Sequence, residues 1–192
     1  MIYVKVTSRE TYRVVRAMLE LKEFTQYAIS KQEKVTFSLV NKVVNWFVSR
    51  GFAAKRKGKY ALVSPAAVFG LFPLYRRMAP SMTFDVNLSR NRVLDLLRGK
   101  SALCLSSALS NYDGYYRDPA IYAYVTDKRV VEELKGFSRG FTHVELFEVD
   151  LSGSDFVLVN GRKISSATRT VIDLFCANKA YAAQRLVKRE WS

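Results

Sequence analysis

Helical periodicity opens the chain. Across residues 8–23, Val14, Val15, Met18, Leu19 and Leu21 fill one side. Arg9, Arg13, Arg16, Glu20 and Glu23 recur at steps of three and four on the other, which predicts an amphipathic helix with a polar face. Thr7 and Glu10 stand at capping-box spacing ahead of it. A shorter helix is predicted over 25–33. A third runs from a Thr36 cap to about Ser49 and is ended by Gly51. In this third helix Phe37, Val40, Val44 and Phe47, with Val43 and Val48 beside them, make a wide apolar stripe. Ser38, Asn41, Lys42, Asn45 and Ser49 line the opposite side. That face carries donors and acceptors but no carboxylate, whereas a solvated face usually mixes in Glu or Asp as i,i+4 partners.

Two β-like segments follow, Phe52–Ala54 and Tyr60–Val63, around Lys55-Arg56-Lys57-Gly58-Lys59. Gly58 supplies the permissive turn position of a hairpin. Ser64-Pro65 opens a helix predicted to reach about Met78, and Ala79-Pro80-Ser81 marks a boundary. Beyond it strands and helices alternate. Strands are predicted over Met82–Leu88, Ile121–Thr126, Thr142–Leu151 and Phe156–Val159. Helices are predicted over Ser89–Arg98, Ser101–Ser110, Lys128–Leu134, Ala167–Asn178 (capped by Ser165 or Ser166) and Tyr181–Lys188. Asn160-Gly161 is a hairpin-type turn signal. The expected fold class is α+β: an N-terminal winged helix-turn-helix over 1–80, then a mixed α/β domain over 81–192.

Composition leaves this picture unchanged, but charge sharpens it. Of the 192 residues, 49% are hydrophobic and 25% charged, which is ordinary for a globular protein. The net charge of +14 is not ordinary, and it is uneven. Residues 1–80 hold 15 Lys/Arg against 4 Asp/Glu, an excess of +11. Residues 81–192 hold 16 against 13, an excess of +3. A basic folded segment is the electrostatic footprint of a polyanion partner, and nucleic acid is expected ahead of a membrane surface.

Three helices followed by a basic hairpin is the winged-helix order, so double-stranded DNA is the expected partner. Thr36, Ser38, Asn41, Lys42 and Asn45 would face the groove with Arg50 at the helix end. Lys55, Arg56, Lys57 and Lys59 would form the wing. Asn and Lys pair with base edges or phosphates in a major groove. A Lys/Arg tip reaches the backbone or the minor groove. Asn41 and Asn45 are the expected base readers. The longest apolar stretch, Val63–Tyr75, is short of a span of about 20 residues and is broken by Pro65, Gly70 and Pro73, so no membrane role is expected. Cys104 and Cys176 lie in apolar contexts, which points to reduced thiols and a cytoplasmic protein.

The second half resembles a known family. Ser101–Asn111 is similar to its small-residue helix before an aromatic turn. Ile164-Ser165-Ser166-Ala167-Thr168-Arg169-Thr170-Val171-Ile172-Asp173-Leu174 resembles its Arg-Thr-hydrophobic-hydrophobic-Asp-Leu helix, entered through a Ser/Thr-rich turn. The family is that of AbiEi-like antitoxins and related winged-helix regulators. The resemblance implies a repressor of its own operon, with a cognate toxin as partner. Arg169, Thr170 and Asp173 would be structural residues of the C-terminal domain, and Arg169 and Asp173, four apart, are placed to pair. The segment after Leu174 is expected to be a shorter helical stretch than the family pattern has. Winged-helix regulators often dimerise, which leaves a homodimer open.

Catalytic patterns are sparse. His143 is the single histidine, so zinc would have to be gathered from Cys104, His143 and Cys176, far apart and without the usual close pairs. No Gly-x-Ser-x-Gly, P-loop or Gly-x-Gly-x-x-Gly sequence occurs. Gly153-Ser154 is not followed by the closely spaced carboxylates that nucleotidyl transfer needs. No enzyme, metal or cofactor is therefore expected. The alternatives are a metal-dependent nuclease using Glu145, Glu148 and Asp150 with Lys163 nearby, or an RNA- or protein-interaction module. Strand alternation weakens the nuclease, because Glu145 faces away from Glu148 and Asp150.

Overall fold

In a computed structural model, residues 4–5, 7–21, 23–149 and 155–191 are described. They form two compact units: residues 1–76 with 187–192, and residues 77–186. The sequence placed the division after Pro80 and assigned the whole C-terminus to the second part. Instead, the end of the last helix is grouped with the first unit.

The first unit begins with α1 (Arg9–Glu20), α2 (Gln26–Glu33) and α3 (Phe37–Ser49). Each starts on a hydroxyl cap. Ser8, Thr25 and Thr36 accept from the amides of Thr11, Ala28 and Leu39, satisfying donors that a helix start leaves open. The cap of α1 is Ser8 and not Thr7, because it is Ser8 Oγ that reaches a first-turn amide. α2 ends at Lys34, whose φ of 52° turns the chain left-handed, and α3 begins three residues later.

Val14, Val15, Ala17, Met18, Ile29, Val40, Val43, Val44 and Phe47 are buried between these helices. Two members of the expected stripe of α3 are not. Phe37 is 50% exposed and Val48 is 37% exposed, because they sit at the edges of the buried arc. Arg16 departs the other way. Placed on the polar face by periodicity, it is 1% exposed and ion-paired to Glu33 at 2.8 Å and Glu20 at 3.3 Å.

Next come β1 (Ala53–Arg56) and β2 (Lys59–Leu62), paired antiparallel with Arg56 opposite Lys59. β1 is one residue longer than expected, β2 is the expected length but starts one residue earlier, and the loop is shorter than the expected five-residue basic tip. Lys57 and Gly58 alone make the turn, with φ of 48° and 83°. Positive φ at both central positions marks the type I′ turn that matches strand twist. Phe24 adds a third rung, exchanging backbone hydrogen bonds of 2.8 Å in both directions with Tyr60 and stacking on its ring. The helix expected to reach Met78 is cut to α4 (Pro65–Phe69) and a 3-10 turn over Phe72–Leu74. Gly70 and Pro73 interrupt the ladder.

The second unit is a six-stranded mixed sheet with helices. Its elements are β3 (Met82–Val86), α5 (Arg90–Leu96), β4 (Ser101–Leu103), α6 (Leu105–Leu109), β5 (Ile121–Val125), α7 (Arg129–Lys135), β6 (Thr142–Glu148), β7 (Phe156–Val159), β8 (Arg162–Ser165) and α8 (Ala167–Cys176). α9 (Ala180–Trp191) follows. The strand order is β3-β6-β5-β4-β8-β7. β5 and β6 are parallel across α7, β4 and β8 are parallel, and the remaining pairs are antiparallel.

The single helix expected over Ser101–Ser110 is a strand and then a helix. Residues 101–109 are buried throughout, and a strand covered on both faces loses the alternation that would reveal it. Val86, Val93, Leu103, Ile121, Ala123, Val130, Leu134, Val144, Leu146 and Ile164 form the core of this unit. Gly140 abuts it so closely that a Cβ there would lie 1.9 Å from the Val86 carbonyl carbon.

Candidate nucleic-acid interface

The polar side of α3 separates into two kinds of residue. Ser38 and Lys42 are exposed, and Asn41 and Asn45 are half-buried. Asn41 Oδ1 accepts from two donors, Gln26 Nε2 at 3.1 Å and Asn45 Nδ2 at 3.0 Å. The two asparagines are thus a tethered pair. The Asn41 amide nitrogen and the Asn45 amide oxygen are the atoms left to meet another molecule. Gln26, in the first turn of α2, was not singled out in the sequence. An Asn four residues before another, with a Gln at a preceding helix start, is the signal that could have found it.

Other expected residues prove to have structural duties. Thr36 caps α3. Arg50 is its C-cap, with its guanidinium 5.5 Å from the centre of the Trp46 ring. Lys59 pairs with Glu23 at 3.2 Å, both well exposed. Lys55 lies over Tyr60, 5.6 Å from the ring centre. Arg56 and Lys57 are exposed at the hairpin tip, and with Lys42 they make no ion pair with any described carboxylate.

The balance of charge explains why. Glu33 and Asp85 bracket residues 34–84, a run with no Asp or Glu at all. Three of the four acids before it are engaged: Glu20 and Glu33 with Arg16, and Glu23 with Lys59. Lys59 apart, α3 and the hairpin tip therefore present the positive charge of Lys42, Arg56 and Lys57 without a carboxylate of their own to neutralise it. Exposed aromatics lie at the same helix starts, Tyr27 (69%) on α2 and Phe37 (50%) on α3.

The second unit has its own polar clusters. Arg169 Nε meets Asp173 Oδ1 at 2.8 Å, and Arg169 Nη2 donates to Tyr124 Oη at 3.0 Å. Tyr124 Oη in turn donates to Asp173 Oδ2 at 2.9 Å. All three are at most 1% exposed, so the motif helix is bolted to the sheet by a closed, buried triad. Thr170 is buried too and donates to the Ser165 carbonyl at 3.3 Å.

A second group ties the loop before β5 to the start of α9. Lys179 Nζ contacts Asp118 Oδ2 at 3.0 Å and Tyr122 Oη at 2.6 Å, and Ser106 Oγ donates to the same carboxylate. Burial pushes the Asp118 carboxyl up, but Lys179, the Ala120 amide and Ser106 outweigh it and hold it below its usual range. Burial likewise lowers the Lys179 ammonium less than Tyr122 and Asp118 raise it. That lysine is a fixed cation and not a base.

The carboxylates of the nuclease alternative do not converge among the described residues. Glu145 and Glu148 lie on opposite faces of β6, and Asp150 falls outside the described residues. Glu145 instead sits 3.4 Å from His143 Nε2, and Asp85 sits 2.7 Å from His143 Nδ1. The Asp85 hydrogen bond is the larger cause of a raised histidine pKa. No group of three His, Cys, Asp or Glu able to hold a metal ion occurs among the described residues. Cys104 and Cys176 are buried and are not joined in a disulfide. No described helix is long and apolar enough to cross a membrane. No protein-family model matches the chain, and neither a curated protein nor a solved structure does so.

Proposed function

We propose that the protein is a DNA-binding transcriptional regulator whose first unit works as a winged helix. α2 and α3 are its helix-turn-helix, α3 is the recognition helix, and the β1–β2 hairpin is the wing. One observation carries this reading. Between Glu33 and Asp85 the chain has no carboxylate, and this run delivers exposed Ser38, Lys42, Arg56 and Lys57 on one helix and one tight hairpin. A face built to meet phosphates excludes acids, because each would cost repulsion at close range.

In this reading Lys42, Arg56 and Lys57 hold the backbone. The tethered Asn41–Asn45 pair presents a donor at one end and an acceptor at the other, which suits a purine edge. Phe37 is placed for apolar contact with a thymine methyl group. The second unit is the regulatory or partner-binding part. The resemblance of its Arg169–Asp173 helix extends the proposal to an autoregulating repressor with a toxin partner.

Duplex binding by fluorescence anisotropy, after selection of the preferred site from a genomic library, tests the reading. Affinity should fall with salt, the logarithmic slope reporting about 0.9 per phosphate neutralised. Arg56→Glu with Lys57→Glu should weaken every duplex at least tenfold, since both side chains are exposed and their replacement leaves the fold intact. If that variant binds like the wild type at low salt, the proposal fails.

A further inference from the structure

The first unit contains a cavity of about 200 Å³ on the side of α3 away from Asn41 and Lys42. Val15 of α1 and Val68 of α4 line it, with Trp46 and Phe47 of α3. Val15, Phe47 and Val68 are at most 4% exposed. Trp46 and Phe47 meet edge to face, ring centres 5.2 Å apart, and so present a fixed aromatic wall. Leu74 stands at the rim, 79% exposed.

Two hydroxyl-bearing residues, Thr11 and Tyr75, stand among the apolar and aromatic lining. Thr11 Oγ1 is already an acceptor for Ser8 Oγ at 3.0 Å, which leaves its proton to donate. No charged side chain lines the cavity, although the chain carries 31 Lys/Arg and this unit holds most of the excess.

We infer that this cavity is a binding site for a small, neutral aromatic molecule of one ring or two fused rings. Size sets the upper limit, because an apolar cavity of about 150 Å³ accommodates benzene. The absence of charge in a strongly basic unit sets the ionic state, since a carboxylate-bearing ligand would find no cation to pair with inside. The aromatic wall sets the shape, and the Thr11 hydroxyl offers one hydrogen bond to an acceptor on the ring or its substituent. Close-packed interiors keep few voids of this size, and an apolar hollow gains by exchanging water for a ring. The assignment does not depend on what the opposite face of α3 contacts.

Indole and benzyl alcohol are suitable neutral probes, with benzoate as the charged control. Titration calorimetry on the full chain should give saturable binding of the neutral probes with Kd of about 1 mM or tighter. Benzoate should bind at least tenfold more weakly. In a proton–nitrogen spectrum the Trp46 indole resonance, assigned by Trp46→Phe, should shift on titration with benzyl alcohol while that of Trp191 stays in place. Val68→Phe fills the cavity and should weaken binding at least tenfold. Leu74→Asp, at an exposed position that leaves the fold intact, should weaken it about fivefold. The inference is overturned if no saturable heat appears with 10-fold excess over that Kd, if benzoate binds equally well, or if neither variant changes the affinity.

Discussion

Arg16 and Glu33, on successive helices, form an ion pair of 2.8 Å with both side chains at most 5% exposed. The pair fixes α2 against α1, and Arg13 Nη2 also donates to the Glu33 carbonyl. Removing one partner of a buried pair leaves an uncompensated charge. Glu33→Gln should therefore cost about 3 kcal/mol, the low end for such a change, because Glu20 remains 3.3 Å from Arg16. Arg16→Met with Glu33→Leu should recover most of it. Urea unfolding of the three proteins measures this, and a loss below about 1 kcal/mol for Glu33→Gln would show that the pair does not hold the helices.

Asn41→Ala removes the acceptor shared by Gln26 and Asn45. Under the proposed function it should relax base preference at one position by about 1–3 kcal/mol while leaving the salt slope intact. Lys42→Ala should do the opposite, weakening all duplexes alike and reducing the slope by about 1. Binding to a panel of single-base site variants at two salt concentrations separates the two. Equal effects of both substitutions on every site would contradict the division into base reader and phosphate holder.

His143, between Asp85 and Glu145, has its pKa raised above 6.5 in the folded chain. A raised pKa means that the protonated form is favoured by folding. This contribution is fully present below the unfolded value and disappears as pH rises through the folded one. Asp85→Asn removes the larger cause and should bring the midpoint down towards 6.5, as read from the imidazole proton resonances. A midpoint unmoved by that change would assign the shift to Glu145 instead.

Tyr124→Phe removes the oxygen that bridges Arg169 and Asp173. Each partner keeps the other but loses one hydrogen bond in a dry site, so the second unit should lose about 1–3 kcal/mol. Calorimetric melting checks it. An unchanged Tm would mean that the Arg169–Asp173 contact alone satisfies the helix.

Gly140→Ala tests a close approach and not a turn. The added carbon would overlap the Val86 backbone, which has no flexible end to move aside. Loss of a cooperative melting transition for the second unit is expected. A variant as stable as the wild type would show that the strand end yields.

The sequence revealed elements whose signals are local. Thr36 and Gly51 bounded α3 because a hydroxyl cap and a left-handed glycine act within one turn. Asn160-Gly161 marked the β7–β8 hairpin for the same reason, both residues having positive φ. What escaped notice depends on distant partners. Arg16 read as solvated because its spacing matched a polar face, and only the position of Glu33 takes it inside. β4 was hidden in a run of small residues because both its faces are covered. Of the candidate interface, the exposed cations were legible from composition. The Gln26–Asn41–Asn45 chain was not, since it requires α2 and α3 to be docked.

The register of the mixed sheet has a consequence for how the chain is made. Leu103 of β4 waits for Ile164 of β8, and Met82 of β3 waits for Leu146 of β6. Such distant pairings close late, because long loops must be ordered before any contact rewards them. The first helices and their hairpin join near neighbours and can fold as they leave the ribosome. For an interval during synthesis the nascent chain thus carries a basic head, still lacking the end of α9 that belongs to its unit, followed by unpaired strands. In that interval the polypeptide is most exposed to aggregation, and slowing translation between β4 and β8 should lower the yield of native protein more than slowing it anywhere in the first unit.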